Sequence, residues 1–224
     1  MHGSGEFFAD FASELPSWLE TRGVSYPNDI VHSNSELLRL IQSFVPVSEP
    51  FFLLAESFST PLSIQFAAAN PPNLCGLILC AGFATSPVRG VTRILGPYLA
   101  PVLPVLPAGI AGAIMVSGSH APHSILGRLR SAINSVRPEV LVDRVRSVLA
   151  CDVLDDLRRV TVPVLYMQAT HDRLVNPVCL DEMRHVKPDI EVVILDGAHI
   201  LLQLMPRQSA EVVASFGRRL RVMM

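Results

Sequence analysis

Charge is scarce in this chain. Only 17% of its 224 residues are Asp, Glu, Lys or Arg, and the formal net charge is −2. Such a chain offers no basic surface for nucleic acid and no strong field to steer an ionic partner. Cysteine is sparse too. Cys75, Cys80, Cys151 and Cys179 form no C-x-x-C pair, which excludes a zinc ribbon and a thioredoxin-like motif. Free thiols and a reducing, cytoplasmic compartment are expected. Cys75 and Cys80 flank a predicted strand and suit core filling. The first residues are polar and glycine-rich, so no signal peptide is expected. Internal repeats and low-complexity tracts are missing. So is a long unbroken apolar helix. Val91 to Val116 is long enough to span a bilayer. However, Pro97, Pro101, Pro104 and Pro107, with three glycines and Arg93, break it.

What the chain does have is apolar bulk. Half of its residues are hydrophobic, which suits a sheet covered on both faces. Three predominantly apolar stretches read as buried strands: Phe51 to Ala55, Leu74 to Ala81 and Val162 to Ala169. Ile190 to Leu195 reads as a fourth strand. Val24 to Tyr26 is a short strand or extended segment. Helical spacing runs from Phe7 to Leu19 and from Ser35 to Val45, the latter with an apolar stripe and Ser33 or Asn34 as its cap. Between about 86 and 150 the strand–helix alternation stops. The first half of that segment is apolar, and the second, Leu126 to Leu157, reads as one or two surface helices.

Ser57 ends the first run and precedes Phe58-Ser59-Thr60-Pro61, where a helix from Thr60 to Ala69 begins with Pro61 in its first turn. A serine on a sharp strand-to-helix turn holds its hydroxyl proud of the sheet, beside a helix N-terminus that favours negative charge. The pentapeptide Ala55-Glu56-Ser57-Phe58-Ser59 lacks both glycines of G-x-S-x-G and replaces them with small residues. Taken alone, it also fits a plain helix cap.

Two later strand ends carry the complementary chemistry. Asp172 follows the Val162 strand in Thr170-His171-Asp172-Arg173-Leu174-Val175, where ligands bind in open α/β sheets. His199 follows the Ile190 strand in Asp196-Gly197-Ala198-His199, ahead of a helix from about Pro206 to Arg219. Asp196 is the local rival of Asp172 for the acid. Asp152, Asp155 and Asp156 precede their strand and fall at its wrong end. His120, His123 and His171 have no comparable context.

Ser, Asp and His after three strands, in that order, resemble an α/β-hydrolase of the small serine-esterase type. The resemblance runs from residue 1 to about 220. It rests on Leu54-Ala55-Glu56-Ser57-Phe58-Ser59, His171-Asp172-Arg173-Leu174-Val175 and Gly197-Ala198-His199. It implies a mostly parallel sheet with helices on both faces, a core of residues 1–85 and 151–224, and an inserted helical cap over 86–150. It also implies an N-terminally abbreviated sheet of about five or six strands. The elbow strand would be covered either by Val24–Tyr26 or by a second copy in a homodimer. It implies Ser57 as nucleophile, His199 as base, Asp172 as acid, and no metal or organic cofactor. The oxyanion hole would take one N–H from Phe58. The second would come from Met1, or from Ser4 if His2-Gly3 is the family's His-Gly pair; Met1 is the favoured register.

The resulting expectation is a serine hydrolase that cleaves carboxylic esters of short or medium acyl chains, with no transmembrane span. Residues 86 to 125 would line an apolar acyl pocket. Thioester hydrolysis and acyl transfer use the same constellation. The competing reading is a non-catalytic protein of the same fold that binds an acyl ligand.

Overall fold

Among the described residues four parallel strands form the sheet: β1 (Phe51–Glu56), β2 (Leu74–Cys80), β3 (Val164–Ala169) and β4 (Glu191–Leu195), in the spatial order β1-β2-β3-β4. The computed structural model describes residues 5–90 and 122–222. The helices among the described residues are α1 (Ala9–Glu14), α2 (Asn34–Phe44), α3 (Ser59–Ala68), α4 (His123–Asn134), α5 (Pro138–Leu149), α6 (Leu154–Arg159), α7 (Val178–Val186), α8 (Leu201–Leu204) and α9 (Pro206–Val222). None of them is long and apolar enough to cross a membrane.

The central strands are continuous apolar runs because both of their faces are covered. Side chains alternate along each strand. Leu77, Leu79, Val164 and Tyr166 face one core, with Ile64 of α3, Leu157 of α6 and Met183 of α7. Ile78, Cys80, Leu165 and Met167 face the other, with Phe11 of α1, Leu201 and Leu202 of α8, and Val213 and Phe216 of α9. A third cluster joins Tyr26, Leu37 and Ile41 of α2 to Phe58, Leu62 and Phe66. All four strands run the same way, so their C-terminal ends share one edge of the sheet.

Several expectations need correcting. The sheet has four strands among the described residues, not five or six, and β1 lies at its edge. Val24–Tyr26 forms no strand and does not pair with β1, whose only sheet neighbour among the described residues is β2. Pro27, with no N–H, follows it. The carbonyls just beyond serve α5 instead: Asn28 accepts from the Arg137 N–H and Pro27 from Arg144. The first helix is a 3₁₀ turn, Gly5–Phe8, followed by the short α1. It stops at Leu15, whose extended ψ of 144° is what a following proline, Pro16, imposes. Helix α2 starts where expected, because Ser33 and Glu36 form a reciprocal capping box. The segment from 126 to 157 holds three helices rather than one or two. They are not merely surface elements, since Leu129 and Arg144 are buried.

The chain leaves the sheet and returns at one place. Thr85 and Asp152 form an isolated antiparallel bridge. The Ser86 N–H donates to the Cys151 carbonyl, and the Val153 N–H to the Ala84 carbonyl. The segment between these anchors therefore begins and ends on the C-terminal edge. Its residues 91–121 lie outside the described residues, as does most of the expected acyl-pocket stretch. All four cysteines are free thiols.

Candidate active site

The turn after β1 is built to present one side chain. Ser57 has φ = +56°, a left-handed conformation that costs a non-glycine residue about 1–2 kcal/mol. Hydrogen bonds hold it there. Its N–H donates to the Cys80 carbonyl, and its own carbonyl accepts from the Thr60 N–H and, at 2.8 Å, from the Thr60 hydroxyl. Thr60 is fully buried and also accepts from the Phe83 N–H. Gly82 allows this closeness, because a Cβ there would come within 2.4 Å of Thr60 Cγ2.

The Asp172 carboxylate divides its two oxygens. Oδ1 accepts from the N–H groups of Leu174 at 2.8 Å and Val175 at 2.9 Å. Oδ2 lies 2.8 Å from His199 Nδ1. The other ring nitrogen of His199, Nε2, lies 2.7 Å from Ser57 Oγ. The His199 side chain is 1% exposed and that of Asp172 8%. With Nδ1 facing a carboxylate, the neutral ring keeps its proton there. Nε2 is then free to accept from the serine hydroxyl.

The structure thus brings Ser57, Asp172 and His199 into one hydrogen-bonded line. Asp196 is not part of it. It accepts from Thr170 Oγ1 at 2.8 Å and pairs with His171 Nε2 at 3.0 Å. Phe58 sits where expected, directly after Ser57. Its N–H has no acceptor among the described residues. Its ring is held edge-on by Tyr26, at 6.0 Å between centroids, and covered by the Arg144 guanidinium at 5.8 Å. Met1 and Ser4, the alternative second oxyanion donors, lie outside the described residues.

Three neighbours of the line carry no role in the sequence reading. Glu56 receives hydrogen bonds from the turn after His199, and its charge inside an apolar strand is the signal that marks it. Tyr166 donates to the Gly82 carbonyl at 2.8 Å. Burial, with Asp172 nearby, pushes its phenol far above the ordinary range, so it is neutral. Arg144 reaches the site from α5, and nothing in its local sequence distinguishes it from a surface arginine.

Residues 20–199 match the model of the family described as serine aminopeptidase, S33. No curated protein matches the chain significantly. Solved structures share its fold at low identity. MenH from S. aureus is 12% identical with a TM-score of 0.78, over 99% of this chain and 91% of that one. A membrane phospholipase A described as a bacterial virulence factor is 16% identical with a TM-score of 0.73, over 99% and 77%. A carboxylesterase of Nitrososphaera gargenis is 15% identical with a TM-score of 0.69, over 92% and 80%. On this evidence the chain belongs to the serine aminopeptidase S33 family of α/β hydrolases.

Proposed function

We propose that the protein is a serine hydrolase cleaving carboxylic esters of short or medium acyl chains through an acyl-enzyme. The observation that carries this reading is the line from Ser57 Oγ through His199 to Asp172, with contacts of 2.7 and 2.8 Å. A serine hydroxyl is a weak nucleophile until a base takes its proton. In the proposed reaction Ser57 Oγ attacks the acyl carbon while Nε2 of His199 accepts the proton. Asp172 holds the Nδ1 proton and stabilises the imidazolium. The carbonyl oxygen becomes an oxyanion facing the Phe58 N–H. The tetrahedral intermediate collapses, the C–O bond to the leaving alcohol breaks, and Nε2 returns the proton to that alcohol. Water, deprotonated by the same nitrogen, then releases the acid and regenerates Ser57.

The family description names an aminopeptidase, and amide hydrolysis needs the same acyl-enzyme. Recognition of a free α-amino group would need an acidic group facing the scissile bond. Among the described residues, Asp172 is committed to His199 and Glu56 to backbone and amide donors, whereas Asp143 lines a small cavity beside Phe58; the substrate comparison decides between ester and peptide. We further propose residues 86–150 as a cap whose apolar part receives the acyl chain; the paired anchors at 84–86 and 151–153 support that boundary.

A series of p-nitrophenyl esters from acetate to decanoate, run beside an aminoacyl-p-nitroanilide, tests the reading together with fluorophosphonate labelling. Ester turnover, stoichiometric label on Ser57, and a loss of about 10⁶ in kcat for Ser57→Ala are expected. A folded protein that takes no label and turns over neither substrate class would instead be the non-catalytic acyl-ligand binder. Faster cleavage of the anilide would make it a peptidase.

A further inference from the structure

We propose that Glu56 is a positioning residue that clasps the turn after His199 to the end of the elbow strand, and so holds the imidazole within reach of Ser57. The inference rests on the serine-hydrolase reading and adds a residue outside the line of three.

Glu56 is the last residue of β1, and Ser57 follows it directly. One of its carboxylate oxygens accepts the Leu202 N–H at 3.2 Å, and the other accepts Gln203 Nε2 at 3.0 Å. Cys80, at the end of the neighbouring strand, donates its thiol at 3.7 Å. A single side chain therefore joins the ends of β1 and β2 to the start of α8. Leu202 and Gln203 stand three and four residues beyond His199.

Helix α8 has only four residues, and Ile200 at its N-cap provides no side-chain acceptor. Early N–H groups of a helix have no partner of their own. Glu56 supplies one from across the molecule. His199 itself lies on a loop. On one side that loop is tied to the loop after β3, where the His171 N–H donates to the Gly197 carbonyl. Glu56 ties it on the side of the elbow.

An ion pair does not explain the carboxylate, because no Lys or Arg pairs with it among the described residues. Its three partners are a backbone amide, a carboxamide and a thiol. Packing around it is unfavourable for the charge and raises its pKa, and the hydrogen bonds from Gln203 and Leu202 only partly offset this. A carboxylate retained at such a cost, one residue from the serine and clamped to the histidine turn, is accounted for by the registration of those two segments. The reach is demanding, since a misplacement of about 1 Å can reduce turnover about 100-fold.

The test compares Glu56→Ala, Glu56→Gln and Gln203→Ala with the wild type on a p-nitrophenyl ester, with thermal melts to check folding. Glu56→Ala should lower kcat by about 10- to 100-fold and leave KM within about twofold. Glu56→Gln keeps an oxygen for the Leu202 N–H and should recover most of the loss. Gln203→Ala should fall between them. Amide exchange is read in parallel: Leu202 should exchange faster in Glu56→Ala and not in Glu56→Gln. Wild-type kcat in Glu56→Ala, a defect confined to KM, a loss that glutamine does not rescue, or unchanged exchange at Leu202 would each overturn the clasp. A wild type that neither turns over ester nor takes fluorophosphonate label at Ser57 overturns the hydrolase reading instead. The exchange measurement still decides whether Glu56 holds the turn.

Discussion

Asp196 is bound to His171, not to His199: its Oδ1 lies 3.0 Å from His171 Nε2, with the Thr170 hydroxyl on the same oxygen. The carboxylate nearest to His199 in sequence is thereby occupied elsewhere, and its side chain is 83% exposed. Asp172, 27 residues from His199, is the one that meets the imidazole. Asp172→Asn is expected to cut ester turnover by up to about 10⁴-fold, because an amide in that place favours the wrong tautomer. Asp196→Asn should change it by less than a few-fold. Steady-state kinetics on the two variants check this, and the reverse order would reassign the acid.

Glu56 also makes a prediction about pH. Desolvation holds its pKa above the ordinary carboxylate value, and hydrogen bonds from Gln203 and Leu202 pull it partly back. His199 and Cys80 are the titratable groups that face it. Unfolded, the glutamate loses its proton near pH 4.3, roughly its reference value; folded, it keeps the proton longer. Between those two values the folded state binds more protons, so stability falls as pH rises through the window. Glu56→Gln removes this loss. The melting temperature of the variant minus that of the wild type should increase from pH 4 to pH 8. A difference that is flat or falls with pH would contradict the raised pKa.

The thiols should be largely silent. Cys80 and Cys179 are 0% exposed and Cys151 is 7% exposed, whereas Cys75 is partly exposed. Burial pushes the Cys80 thiol well above its ordinary value, and the neighbouring Glu56 adds to the shift. Since the thiolate is the reactive form, a disulfide reagent at pH 8 should titrate no more than Cys75 in the native protein. All four should react in denaturant. A native count above one would show that the core opens.

Gly82→Ala should strike the elbow without touching the line of three. Its Cβ would meet Thr60 Cγ2 at 2.4 Å and Oγ1 at 2.8 Å. Thr60 cannot yield cheaply, because its hydroxyl bonds both Ser57 and Phe83. A loss of about 1–3 kcal/mol is expected from overpacking of this kind, read by urea denaturation, with lower turnover. Thr60→Ala removes the two nearest contacts, leaves its Cβ at 2.9 Å and loses the hydroxyl bonds to Ser57 and Phe83, so the effects of the two changes should be non-additive.

The parts of the molecule that were legible in the sequence are those that local chemistry dictates. Parallel strands covered on both faces are predominantly apolar stretches, and Ser57, Asp172 and His199 stand where three such stretches break into polar residues. Helix α2 was legible from its stripe and its Ser33 cap. Other features depend on partners distant in sequence. Val24–Tyr26 reads as a strand, yet the backbone next to it is claimed by α5. Arg144 has a surface pattern but is buried, its guanidinium over the Phe58 ring and donating to the Pro27 carbonyl. The role of Glu56 depends on Leu202 and Gln203, 146 and 147 residues away. Helix α8, with four residues, is too short to carry a periodic signal.

The left-handed turn at Ser57 separates what the fold needs from what the site needs. A chain selected for stability alone would place glycine at φ = +56°, since glycine enters that region without steric cost. Serine there keeps about 1–2 kcal/mol of backbone strain, partly balanced by the roughly 0.5–1 kcal/mol that glycine loses through its greater freedom when unfolded. Ser57→Ala keeps the strain and Ser57→Gly releases it. Both variants should be inactive, and the glycine variant should melt at the higher temperature. That order would identify the elbow as a place where the sequence forgoes stability to keep one hydroxyl.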